Sequence, residues 1–115
     1  MDNRINKLLF DIQSAIETIE EFLTENKSFE NYSKNKMLRN AIERNLEIIG
    51  EATSKLLQLQ PKIEISNARR IVDTRNKIIH GYDEIEDVNI WVIIINHLPI
   101  LKQEIQLLLN SNDKK

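Results

Sequence analysis

The stretch RRIVDTRNKIIHGY, residues 69–82, concentrates the residue types that can handle a phosphodiester. It sets Arg69, Arg70, Arg75 and Lys77 against Asp73 alone, a surplus of three positive charges in a chain whose net charge is −2. Clustered cations are what phosphate binding requires. Cations also offset the dipole at a helix C-terminus, so charge by itself leaves both readings open. Arg75 and His80 are five positions apart, which on an ideal helix turns them about 140° from each other. Gly81 is placed to end the helix there, because glycine enters positive φ without steric cost. His80 can then leave the helical direction, and the long Arg75 side chain can curve toward the same cleft. Arginine grips a phosphate through paired hydrogen bonds, and histidine gives or takes a proton near neutral pH. Together they suffice for metal-free cleavage of RNA: activation of the 2′-hydroxyl, protonation of the leaving 5′-oxygen, and a cation for the charge that builds on phosphorus. One histidine is short of an acid–base pair, and a symmetric dimer would supply two.

The remaining residues exclude other chemistries. His80 and His97 are the only histidines, seventeen positions apart, without the close spacing and acidic context of a helical metal site. Neither a glycine-rich phosphate loop nor a nucleophile elbow occurs. The absence of cysteine removes disulfides, thiolate metal sites and a cysteine nucleophile, and fits a reducing interior. No metal and no cofactor is expected. The N-terminal MDNRINKLLF lacks a signal-peptide core, and the longest apolar run, Ile90–Ile95, is far below a bilayer span. A soluble, cytoplasmic protein without a membrane partner is the expectation.

The elements that position the basic stretch follow from 115 residues with only two glycines and two prolines. So few turn formers argue against a sandwich or barrel and for one all-α domain spanning 1–115. Apolar spacing predicts a helix over about 3–25, a weak helical turn within 26–36, and a long helix over about 35–59. Pro61 stops that helix and opens an extended connector with Ile63 and Ile65 turned inward. Ser66 is the expected N-cap of a shorter helix over about 67–79. A loop of 81–86 and a capping Asp87 precede a last helix over about 87–110, with 111–115 frayed. Pro99 is expected to bend this helix. Its apolar residues cover two sides, Val88, Trp91, Val92, Ile95 and Leu98 on one and Ile90, Ile93, Ile94 and Leu101 broadening it, which points to a partner chain. Gly50 falls inside the second long helix, where the reading favours close approach of another helix. The architecture is an antiparallel bundle of four main helices plus a short one, as a two-fold homodimer. Tyr32 and Trp91 read as packing anchors, and His97 as structural.

Arg75-Asn76-Lys77-Ile78-Ile79-His80-Gly81-Tyr82 is similar to the RX4HXY signature of the HEPN superfamily in its HepT-like branch. AIERNLEIIGEA, residues 41–52, and VNIWVIIINHLPIL, residues 88–101, resemble that branch's preceding and last helices, so the likeness covers about residues 3–110. It implies an all-helical two-fold dimer with facing motifs and a metal-independent RNase acting as a toxin. It implies that Arg75 and His80 are catalytic, that Asn76 helps position them, and that Tyr82 is the target of AMP transfer. The donor of AMP groups would be a minimal nucleotidyltransferase antitoxin of the MntA type, and phosphates two residues from His80 would block a basic cleft. Beyond the resemblance, Arg69, Arg70 and Lys77 are candidate RNA-phosphate contacts, with exposed solubilising charge as the alternative. Glu51 either pairs with an arginine of the motif helix or is an ordinary surface carboxylate. The competing reading of the whole chain is a catalytically silent helical module that binds RNA or nucleotide for a nucleotidyltransferase partner.

Overall fold

Ile5, Leu9, Ile12, Ile16 and Ile19 recur every three or four positions, and in the computed structural model they are the buried face of α1, Asn3–Phe22. The structure describes residues 3–24, 27–80 and 87–113, with no strand among them. α1 stops short of residue 25 because its last turn tightens. Leu23 N–H bonds both Ile19 and Glu20 carbonyls, at 3.1 and 3.2 Å, and Thr24 N–H bonds Glu21.

The polar segment that follows holds α2, Phe29–Lys34, capped by Ser28, whose hydroxyl accepts from Asn31 N–H at 3.1 Å. Asn35 ends α2 and caps α3, Lys36–Leu59, accepting from Leu38 N–H at 3.0 Å. α3 buries Ile42, Leu46, Ile49, Ala52 and Leu56 against α1, while Leu59 at its end is exposed. Gly50 is buried where α3 meets α4, Ala68–His80; a β-carbon there would lie 3.3 Å from the Ile71 carbonyl oxygen. The close approach expected at Gly50 is therefore present.

Ser66 does not cap α4. The residue before the helix is Asn67, at φ 59°, and its carbonyl accepts from Ile71 N–H at 3.1 Å. Asparagine tolerates this left-handed conformation better than most residues. Ser66 instead donates its backbone N–H to Glu104 Oε2 at 2.9 Å, fastening the connector to the last helix. Ile65 is buried and Ile63 packs on the core, as the alternation predicts.

The last helical run comprises α5, Asp87–Val92, a π-helical turn, Ile93–His97, and α6, Leu98–Asp113. The described part of α5 opens with Asp87, whose carboxylate accepts from the Ser33 hydroxyl at 3.2 Å. Pro99 has no N–H for the Ile95 carbonyl, and in an ideal helix its ring would press on that carbonyl. The chain widens upstream of the proline: Leu98 N–H reaches back to the Ile93 carbonyl. The expected disturbance at Pro99 thus takes the form of a π turn. The helix continues to Asp113, so residues 111–113 are helical where fraying is the expectation. By length and composition alone Asp87–Ser111 is apolar enough to cross a membrane. In the fold one face of it packs on the bundle, burying Ile90, Ile94, Leu98, Leu101 and Ile105, with Lys102 bonded to Glu20 on α1 at 2.9 Å.

α2 clamps the start of this run. Tyr32 is fully buried with its ring 5.5 Å from that of Trp91, and Phe29 meets Trp91 edge-on at 6.3 Å. Both Tyr32 and Trp91 act as packing anchors. Arg39 reaches across from α3 to the Ser33 carbonyl.

Candidate active site on α4

α4 positions the basic stretch by pressing one face on α3. Ala68, Ile71 and Thr74 are buried, and Ile78 packs on the core. The Thr74 hydroxyl turns back to the Arg70 carbonyl at 2.9 Å and so needs no partner from another helix. The opposite face carries the charge: Arg69, Arg70, Asp73 and Lys77 are exposed.

Arg75 lies between these faces and is half-buried. Its Nη1 donates to Asn76 Oδ1 at 3.0 Å, while its Nε is buried without a hydrogen-bond partner. Among the described residues, Asn76 is the hydrogen-bond partner of this guanidinium. A guanidinium held in this way is a group suited to gripping phosphate oxygens. The structure thus joins two of the expected site residues directly. His80 is the last residue of α4, and the structure describes its helical backbone. Gly81, its expected role as a helix cap, the 81–86 loop and Tyr82 lie outside the described residues.

Arg70, a candidate phosphate contact, has a partner that its sequence neighbourhood does not reveal. Its Nη1 lies 3.2 Å from Nε2 of His97, at the end of the π turn. His97 is half-buried and its Nδ1 has no partner, in keeping with a structural role. Glu51 pairs with Lys55 one turn along its own helix, at 3.4 Å, so it is the ordinary surface carboxylate of the two alternatives.

Asp87, seven positions after His80, joins Glu43 and Tyr32 in a partly buried polar group. Burial pushes the Glu43 carboxyl above its usual range, and Asp87 pushes it further, while Arg39 pulls it back. Burial likewise drives the Tyr32 phenol far upward, reinforced by Glu43 and Asp87, so it stays neutral. Nothing in the sequence pairs Glu43 with Asp87; the aromatic contacts of α2 bring them together.

The family model described as Ribonuclease HepT-like matches residues 12–108. A Methanocaldococcus jannaschii protein assigned as an RNase is 31% identical over 105 residues, which cover 90% of this chain and 94% of its own. A Thermococcus cleftensis protein assigned as ribonuclease HepT is 36% identical over 104 residues, covering 87% and 91% of the two chains. No solved structure matches significantly. The chain belongs to the HepT-like ribonuclease family, and that membership supports an RNA-cleaving enzyme.

Proposed function

We propose that this chain is a metal-independent endoribonuclease, the toxin of a two-gene toxin–antitoxin pair, acting in the cytoplasm on RNA as a two-fold homodimer. The observation that carries the reading is the Arg75–Asn76 hydrogen bond at 3.0 Å, which holds the guanidinium, a group able to bind phosphate, on the basic helix.

Arg75 anchors the scissile phosphate and stabilises the charge that develops on its oxygens. Asn76 orients Arg75. His80 of one protomer takes the proton of the 2′-hydroxyl as the 2′-oxygen bonds phosphorus, and His80 of the partner subunit protonates the 5′-oxygen as its bond to phosphorus breaks. The products are a 2′,3′-cyclic phosphate and a 5′-hydroxyl, so no water or oxidant is consumed. Arg69, Arg70 and Lys77 hold flanking phosphates, a role suited to their exposure on one helix. Neutralisation comes from a minimal nucleotidyltransferase. The Tyr82 oxygen attacks the α-phosphorus of ATP, pyrophosphate leaves, and the added anions fill the cleft.

The test is cleavage of RNA in EDTA by protein prepared without its partner. Wild type is expected to cleave, and Arg75→Ala and His80→Ala to lose the activity. Cleavage that needs an added divalent metal, or that survives His80→Ala, overturns the mechanism. An intact fold that binds a nucleotidyltransferase and leaves RNA uncut would favour the silent-module reading.

A further inference from the structure

We infer that Gly50 is a positioning residue for catalysis: its missing side chain is the seat of the Arg75 stem, through which α3 sets where the guanidinium stands. The inference rests on the catalytic reading of Arg75 given above.

Gly50 is a buried residue in the interior of a 24-residue helix, a place where alanine is the better helix former. The reason for glycine lies across the interface. A β-carbon at position 50 would overlap the Arg75 β-carbon outright and stand 2.7 Å from its γ-carbon and 3.3 Å from the Ile71 carbonyl oxygen. Ile71 and Arg75 are one turn apart on α4, so the added atom would meet a single face of that helix. No rotamer change relieves the overlap, because a β-carbon and a carbonyl oxygen move only with the backbone. Alanine therefore has to push α4 off α3, and the displacement is carried out along the Arg75 arm.

The middle of that arm is enclosed as well. Arg75 Nε is buried and unpartnered, while Nη1 is held by Asn76. Two constraints thus locate the guanidinium: the seat at Gly50 fixes the base of the arm, and Asn76 fixes its tip. Ile49 and Ala52, close by on α3, both carry buried side chains, so position 50 is a local opening matched to Arg75.

The experiment compares single-turnover RNA cleavage by wild type, Gly50→Ala, Arg75→Ala and the double variant, with far-UV circular dichroism to confirm the fold. Gly50→Ala is expected to slow cleavage by about tenfold or more with helicity retained, since small misplacement of a catalytic group is costly. The double variant should match Arg75→Ala within about twofold, because the effect runs through Arg75. Full activity of Gly50→Ala, or a double variant slowed by the product of the two single effects, overturns the inference. If Arg75→Ala cleaves like wild type, the proposed role of Arg75 fails instead, which is a distinguishable result. A readout independent of cleavage is the Arg75 Nε–H NMR signal. It should exchange slowly with water in wild type and about tenfold faster or more in Gly50→Ala, as burial is lost; unchanged exchange overturns the inference. Should Gly50→Ala fail to fold, Gly50→Ala combined with Arg75→Gly is expected to regain the fold, and its failure to do so counts against the seat.

Discussion

Arg70 Nη1 on α4 lies 3.2 Å from His97 Nε2 at the end of the π turn, joining two helices through a cation and an imidazole. Arginine has no acceptor and stays protonated, so Nε2 must accept the hydrogen bond. The ring proton then resides on Nδ1, which is buried without a partner. Nitrogen NMR at neutral pH is expected to find the Nδ1–H tautomer for His97. His97→Gln keeps an acceptor near the Nε2 position and should leave unfolding in urea almost unchanged, whereas His97→Ala should lower stability by about 1 kcal/mol.

Asn76 holds Arg75 through a neutral acceptor. Asn76→Ala should leave the fold intact and slow RNA cleavage by roughly tenfold, since an unheld guanidinium spends less time in the productive geometry. Asn76→Asp keeps the acceptor but places a negative charge beside the phosphate site. It should weaken substrate binding more than Asn76→Ala does, seen as a larger rise in KM. Equal effects from both variants would count against electrostatics as the cause.

The raised carboxyl of Glu43 makes a pH-dependent contribution to stability. Burial and Asp87 penalise its charged form in the folded state. At neutral pH the carboxyl is ionised and folding carries that penalty. As pH falls through the folded-state value the native protein takes up a proton before the unfolded chain does, and the penalty disappears. Glu43→Gln should therefore raise Tm at pH 7.5, and the gain should shrink toward about pH 4, the usual carboxylate range. Thermal melts of both proteins across that interval check it; a gain constant with pH would assign the effect to packing.

Val88 and Val92 are 45% and 40% exposed on successive turns of α5, on the helix whose two apolar sides point to a partner chain. A two-fold partner on this face would cover them. Light scattering is expected to give about 27 kDa, twice the 13.5 kDa chain. Val88→Glu with Val92→Glu should return it to the monomer mass and, by separating the two sites, abolish cleavage. A wild-type monomer at micromolar concentration would sink the shared site.

Much of this architecture is legible in the chain because helix periodicity repeats over many residues. The stripes of α1 and α3 survive the loss of single positions such as Phe22 and Leu59, both of which are exposed. Gly50 is legible for a related reason: a helical glycine costs stability, so it marks a close approach. Three features are not legible. The π turn, Ile93–His97, begins inside the unbroken apolar run Ile90–Ile95, where a change of phase leaves no trace in the pattern. Ser66 and Asn67 are both good residues before a helix, and the choice between them is made by Glu104, 38 positions away from Ser66. The Arg70–His97 contact spans 27 positions and depends on the phase of the π turn. In the site itself, the Arg75–Asn76 bond joins neighbours in the chain and was reachable from the motif, whereas the Glu43–Asp87 pairing required the fold.

The π turn at Ile93–His97 also makes the last helix a rod in two independently set parts. One residue more than an α-helical turn rotates everything downstream by about 100°. Ile90 and Trp91 can therefore be chosen to suit the aromatic clamp of α2, while Leu101, Ile105 and Leu109 suit the rest of the core, without one phase dictating the other. The turn acts as a coupling of fixed angle: a change of sequence that alters the seating of α5 need not propagate into α6, and the end of the rod beside α2 can diverge while the bundle that carries it stays the same.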